Sequence, residues 1–141
     1  RMIFEITEEN FRREVRGSEL PVLLEFFALW CGRCAMMEDV LTEFARNNTG
    51  KIKVCRADID RSPALAEKFG VEKVPAFVAF RDGKAEQAAV GVVPYRALEE
   101  ISGVRFPSES LNGFPEVLEN QAFPGLFMSI SQKMGHKRGK L

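Results

Sequence analysis

The chain has 141 residues, 45% of them hydrophobic, which suits one ordinary domain with a buried core plus a shorter additional segment. Twenty basic residues balance 20 acidic ones, which argues against a general nucleic-acid or membrane-surface binder. The balance is uneven: Lys133, Lys137, Arg138 and Lys140 have no acid among them, so residues 1–132 hold 16 bases and 20 acids, a net charge of −4.

In chain order, residues 2–6 read as a short strand. Thr7-Glu8-Glu9-Asn10 carries the reciprocal polar pair that opens a helix, and Phe11 and Val15 give that helix its inner face. Val22–Phe27 is an apolar run between Pro21 and a cysteine motif, the pattern of a central strand buried on both faces, with Glu25 its one charge. Met37, Val40, Leu41 and Phe44 recur at the spacing of one helix face and predict a helix over about 33–47. Residues 52–59 read as the next parallel strand. Pro63 starts a helix through Phe69, with Ser62 as its cap and Gly70 as its stop. Residues 77–81 and 85–90, joined by Asp82-Gly83-Lys84, predict a hairpin. Pro94 opens a last helix with Tyr95, Leu98 and Ile101 inward. Strands that alternate with helices and close on a hairpin describe an α/β domain, a central mixed β-sheet flanked by helices.

Residues 104–141 lie beyond this domain, which occupies 1–103. Pro107 and Gly113-Phe114-Pro115 interrupt any single helix, yet Leu111, Phe114, Val117 and Leu118, then Phe123, Phe127, Ile130 and Met134, fall at helical spacing. The segment reads as a partly helical C-terminal extension with a solvated basic tail. Its helices either cap the domain with their apolar face or form a surface for partner docking or self-association.

The chemistry concentrates in Trp30-Cys31-Gly32-Arg33-Cys34, placed between the apolar strand and the helix over 33–47. Cys31 falls at or just before the helix N-terminus, where unpaired N–H groups and the positive end of the macrodipole favour a thiolate. Cys34 follows one turn in, so both sulfurs share a face and are close enough to close a small disulfide ring. Three cysteines in no secreted-type framework fit a reducing compartment. No transmembrane stretch is evident, and Arg1-Met2-Ile3-Phe4-Glu5 lacks the apolar core of a cleavable signal, so the cytoplasm is the expected location.

A Trp-Cys-Gly-x-Cys motif at a strand-to-helix junction resembles the thioredoxin family, and further matches follow in order. Glu25, six residues before Cys31, stands where thioredoxins carry a buried Asp; Val74-Pro75 is similar to their cis-proline turn, and Asp82-Gly83 and Gly91 to their late hairpin. The resemblance covers roughly residues 1–103. It implies a thioredoxin fold and a thiol:disulfide oxidoreductase that reduces protein disulfides, fed by an external thioredoxin reductase-like donor and holding no cofactor of its own. Its partners would be that donor and disulfide-containing client proteins.

The resemblance also implies roles. Cys31 is the nucleophile that attacks a substrate disulfide, and Cys34 resolves the mixed disulfide. Glu25 relays the proton of Cys34. A carboxylate in mid-strand costs several kcal/mol if ionised and unpaired, which predicts a raised pKa; the alternative is a side chain that reaches solvent or a lysine. Pro75 in cis lies against the sulfurs and presents the backbone of Val74 for pairing with an extended substrate; a trans turn is the alternative. Trp30 shields the disulfide and offers substrates a flat surface, or else packs in the core. Gly91 lets substrate approach the backbone, or marks a strand bulge. Cys55 reads as a buried structural cysteine, with a regulatory thiol as alternative. Gly32 and Arg33 complete the substrate-facing turn. Arg33 replaces the proline of common thioredoxins; its charge favours the Cys31 thiolate, and about 1.4 kcal/mol of preference for the reduced pair would raise the potential by about 30 mV.

Other classes stay open at this stage: a disulfide isomerase or oxidase, a thioredoxin-fold interaction module docking through 104–141, and a metal or iron–sulfur site shared by two chains. The last would lean on Cys31 and Cys34, since no second Cys-x-x-Cys exists and only Cys55 and His136 remain as further candidate ligands. No metal site is expected.

Overall fold

Six consecutive residues of one strand, Val22–Phe27, are buried, and the rest of the molecule is arranged around them. In the computed structural model, which describes residues 2–104, the elements run β1 (Ile3–Glu5), one wide helical turn (Arg12–Arg16), β2 (Val22–Phe27), α1 (Gly32–Met36), α2 (Glu38–Asn47), β3 (Lys53–Asp58), α3 (Pro63–Lys68), β4 (Ala76–Arg81), β5 (Lys84–Val90) and α4 (Tyr95–Ser102). The five strands form one sheet in the order β1-β3-β2-β4-β5. β3 pairs in parallel with both β1 and β2, while β4 is antiparallel to β2 and β5, giving the expected mixed sheet.

Strand alternation sorts β2 between two cores. Val22, Leu24 and Phe26 pack with Phe11, Val15, Leu65 and Phe69, beneath the wide turn and α3. Leu23 packs on the other face with Met37, with Leu41 and Phe44 of α2, and with Ala97, Leu98 and Ile101 of α4. Helices thus cover both faces. Tyr95 is only partly buried and packs against Phe44 with the rings tilted and their centroids 5.6 Å apart.

Several boundaries differ from expectation for local reasons. Thr7 and Asn10 do form the reciprocal cap, the Thr7 N–H donating to Asn10 Oδ1 at 2.8 Å and the Asn10 N–H to Thr7 Oγ1 at 3.4 Å. The helix after them is only Arg12–Arg16, because the Gly17 N–H reaches back five residues to the Arg12 carbonyl at 2.9 Å and widens the turn. The helix predicted over 33–47 is two helices. Its break is at Met37, whose N–H bonds the carbonyl of Cys34 three residues back at 3.0 Å. Ser62 holds the cap position of α3, but its side chain makes no capping bond; Glu8 Oε2 instead accepts from the Ala64 N–H at 2.8 Å. The hairpin closes on two residues, Asp82 and Gly83, both at positive φ (54° and 77°), so Lys84 already belongs to β5. The extension read over 104–141 lies, apart from Val104, outside the described residues.

Candidate active site

β2, the central strand, and the helix that follows it place the two sulfurs just beyond the strand's C-terminal end. Cys31 has extended backbone (φ −95°, ψ 110°) and is the N-cap of α1, and its Sγ accepts the N–H of Cys34 at 3.1 Å. A sulfur that carries negative charge is stabilised by that N–H and by the helix end behind it. Cys31 and Cys34 form a disulfide with Cα atoms 5.3 Å apart. The two are unequal in access: Cys34 is 3% exposed, whereas Cys31 is half-buried and open to an incoming group. Gly32 and Arg33 are exposed on the same turn.

The Val74–Pro75 peptide is cis, as the resemblance implies. It brings the carbonyl oxygen of Val74 to 3.7 Å from Cys31 Sγ. Pro75 is buried and Val74 half-buried. Gly91 adjoins this turn, its N–H donating to the Pro75 carbonyl at 2.7 Å. Its φ of 95° selects glycine, while a Cβ built there would meet nothing within 4 Å. The sheet's register shift lies elsewhere, between Ala79 and Phe80. Trp30 is not a core residue: it is 69% exposed, and its indole N–H donates to Asp60 Oδ2 at 2.7 Å.

Glu25 is 1% exposed on the face of β2 that points to α2. In register across the parallel pair stands Arg56, whose Nε donates to Glu25 Oε1 at 3.1 Å; Oε2 has no hydrogen-bond partner. Burial pushes the Glu25 carboxyl up to about 7, against the pull of Arg56. The Arg56 guanidinium is itself fixed over the ring of Phe27, 3.8 Å from its centroid. A cavity of about 270 Å³ opens beside the disulfide, lined by both cysteines together with Glu38, Arg56, Asp58 and Arg61.

Sequence reasoning missed Arg56, Asp60 and Glu38. Arg56 was within reach of it, since aligning β2 with β3 as parallel neighbours sets an arginine opposite the one acid of β2. Asp60 lies 30 residues from Trp30, and no local pattern joins them. Cys55 is buried in the core on the α3 face, where burial pushes its thiol up to about 12. Among the described residues no group of three or more His, Cys, Asp or Glu is placed to hold a metal ion, and no helix is long and apolar enough to cross a membrane.

A mixed sheet with a Cys-x-x-Cys disulfide at a strand-to-helix junction and a cis-proline against its outer sulfur defines a thiol–disulfide oxidoreductase of the thioredoxin fold. The family model for thioredoxin matches residues 2–102, and the chain belongs to the thioredoxin family, whose members reduce protein disulfides through this pair. It is 40% identical over 94 residues to "Thioredoxin M5, chloroplastic" of Oryza sativa subsp. japonica, covering 67% of this chain and 55% of the relative. It is 36% identical over 96 residues to "Thioredoxin 1" of Nostoc sp., covering 68% and 90%. With "Thioredoxin" of Pseudomonas aeruginosa the identity is 38% over 91 residues, covering 64% and 84%. The chain thus spans about half the length of the rice relative and most of the bacterial ones.

Proposed function

We propose that this chain reduces disulfides of client proteins, with Cys31 as nucleophile, Cys34 as resolving thiol and Glu25 as proton acceptor. The observation that carries the reading is the asymmetry of the pair: an accessible sulfur that accepts an N–H at a helix start, and a buried sulfur one turn on. The Cys31 thiolate attacks a client S–S bond, forming a mixed disulfide and releasing one client thiolate. Cys34 then attacks Cys31 Sγ, the Cys31–client bond breaks, the second client sulfur leaves, and the Cys34 proton passes to Glu25. Two electrons move from the dithiol to the client. A reductase-type donor returns them, as thioredoxins generally receive electrons from such enzymes, and a reducing compartment such as the cytoplasm suits the cycle.

Val74, Pro75 and Gly91 would pair with an extended client segment, and Trp30, Gly32 and Arg33 would form the rim it lies on. We assign 1–103 to the catalytic unit and 104–141 to a separate extension; α4 ends at Ser102 and Gly103 adopts the left-handed conformation that stops a helix. The deciding experiment is the equilibrium potential of the Cys31/Cys34 pair in glutathione or dithiothreitol buffers, followed by Trp30 fluorescence. A value near about −270 mV supports the reductase; one between about −180 and about −120 mV would make the chain an isomerase or oxidase.

A further inference from the structure

The cavity beside the disulfide holds a carboxylate to which the steps above give no part. Glu38 opens α2 immediately after the break at Met37 and lines that cavity with Cys31, Cys34 and Arg56. A second cavity of about 140 Å³ joins Glu38 to Arg56 again, with Ile3, Leu41 and Thr42 around them. Arg56, bonded to the one carboxylate, thus lines both cavities with the other, and the two acids differ in exposure. Glu25 is buried and bonded to Nε at 3.1 Å, while Glu38 is exposed at the solvent side. Stacking on Phe27 limits how far the guanidinium can move toward either.

We propose that Glu38 is a positioning residue for the proton of the resolving step, acting on Glu25 by its charge and by way of Arg56, the residue that lines both cavities with Glu38 and bonds Glu25. The inference rests on Glu25 as acceptor of the Cys34 proton. A negative charge at the cavity mouth repels an ionised Glu25 and draws on the cation that would stabilise it; both effects keep Glu25 protonated to higher pH. Burial is the main cause that raises the Glu25 carboxyl and Arg56 opposes it; the charge of Glu38 adds a smaller push in the same direction as burial. The remaining charged groups around the cavity are Glu5 on β1, Asp58 on β3 and Arg61 after it, and Glu5 and Arg61 are paired with each other at 3.4 Å. The β4 residue in register with Glu25 is Phe77, which adds no charge. A base whose midpoint lies near the working pH is the most effective acceptor, and Glu38 helps to hold it there. An acid in the first turn of α2 also favours the helix macrodipole, but that structural role would change stability and leave the titration of Glu25 in place.

The test uses the full reduced chain and a chromogenic aryl disulfide, which releases one arylthiolate when Cys31 attacks and a second when Cys34 closes the ring. The rate of the second phase is followed from about pH 5 to about pH 9, with the Glu25 carboxyl titrated in parallel by NMR. Glu38→Gln should lower both midpoints by about half a unit, which makes ring closure about two- to threefold faster near pH 6. Glu38→Lys should lower them further, Glu38→Asp should restore the wild-type profile, and about 1 M salt should bring wild type toward Glu38→Gln. Superimposed wild-type and Glu38→Gln profiles would overturn the proposal, as would a change in stability alone. Glu25→Gln separates the two levels. If it leaves the second phase as pH-dependent as before, the role of Glu25 fails; if it abolishes that dependence while Glu38→Gln shifts nothing, only the role of Glu38 fails.

Discussion

Glu25 and Arg56 face each other across β2 and β3, and the bond between them satisfies one carboxylate oxygen and leaves the other without a partner in the core. The pair is half satisfied, so the protonated form of Glu25 is the better buried one. Its carboxyl titrates at about 7 in the folded chain against 4.5 ordinarily, so the folded state binds the extra proton between those values. Stability from this group is complete below about pH 4.5 and is lost as pH rises through about 7, by roughly 3 kcal/mol in all. Glu25→Gln should flatten that slope and make the oxidised protein more stable than wild type near pH 8, while near pH 4 the two should agree. Urea unfolding at both pH values checks this; a stability that changes between pH 4 and pH 8 by the same amount in wild type and Glu25→Gln would contradict it.

The bond from Trp30 to Asp60 fixes an indole that is otherwise exposed. Asp60→Ala should leave stability within about 0.5 kcal/mol and raise KM for a protein disulfide about two- to fivefold, equivalent to roughly 0.5–1 kcal/mol of lost binding. Turnover of a small aryl disulfide should stay unchanged. Time-resolved anisotropy of Trp30 should show the freer ring.

At Gly83 a Cβ would lie 2.7 Å from the Arg16 carbonyl oxygen, on a backbone at φ 77°, whereas at Gly91, also at positive φ, it would meet nothing within 4 Å. Gly83→Ala should therefore cost more than Gly91→Ala, by about 1–3 kcal/mol, because it must also push the Arg12–Arg16 turn away from the hairpin. Denaturation midpoints of the two variants give the comparison. Equal losses would mean that the φ angle alone sets the cost.

Cys55 is fully buried and its thiol is held up near 12, so it is neither accessible nor ionised at neutral pH. Alkylation of the reduced native chain should modify Cys31 first, with the buried Cys34 slower, and should reach Cys55 only after unfolding. Intact mass before and after denaturant reads this directly. Rapid native labelling of Cys55 would revive the regulatory reading.

The fold was legible where burial leaves a strong period. The run of β2, apolar but for Glu25, the face of Leu41 and Phe44, and Asp82-Gly83 each point to one local structure, and each forms it. Helix ends were less legible, since Met37 breaks a continuous pattern through one three-residue bond that no side chain announces, and α3 takes a bond from Glu8 on a distant turn. The sulfurs, the cis-proline and the buried acid stood out because each is an unusual residue in its setting. Arg56, Asp60 and Glu38 did not, since charged residues are ordinary until the fold sets them beside a partner, Arg56 by strand register and the other two by contacts distant in sequence.

The alternation of β2 between two cores has a consequence for insertions and deletions. Leu23 and Glu25 face α2 and α4, while Leu24 and Phe26 face α3. One residue added or removed between Glu25 and Cys31 would leave the motif intact as text, yet it would either turn the acid toward the phenylalanines or slide the sulfurs away from the cis-proline. The interval from acid to cysteine works as a ruler, and homologous chains that keep both residues should tolerate changes of identity along it far better than changes of length.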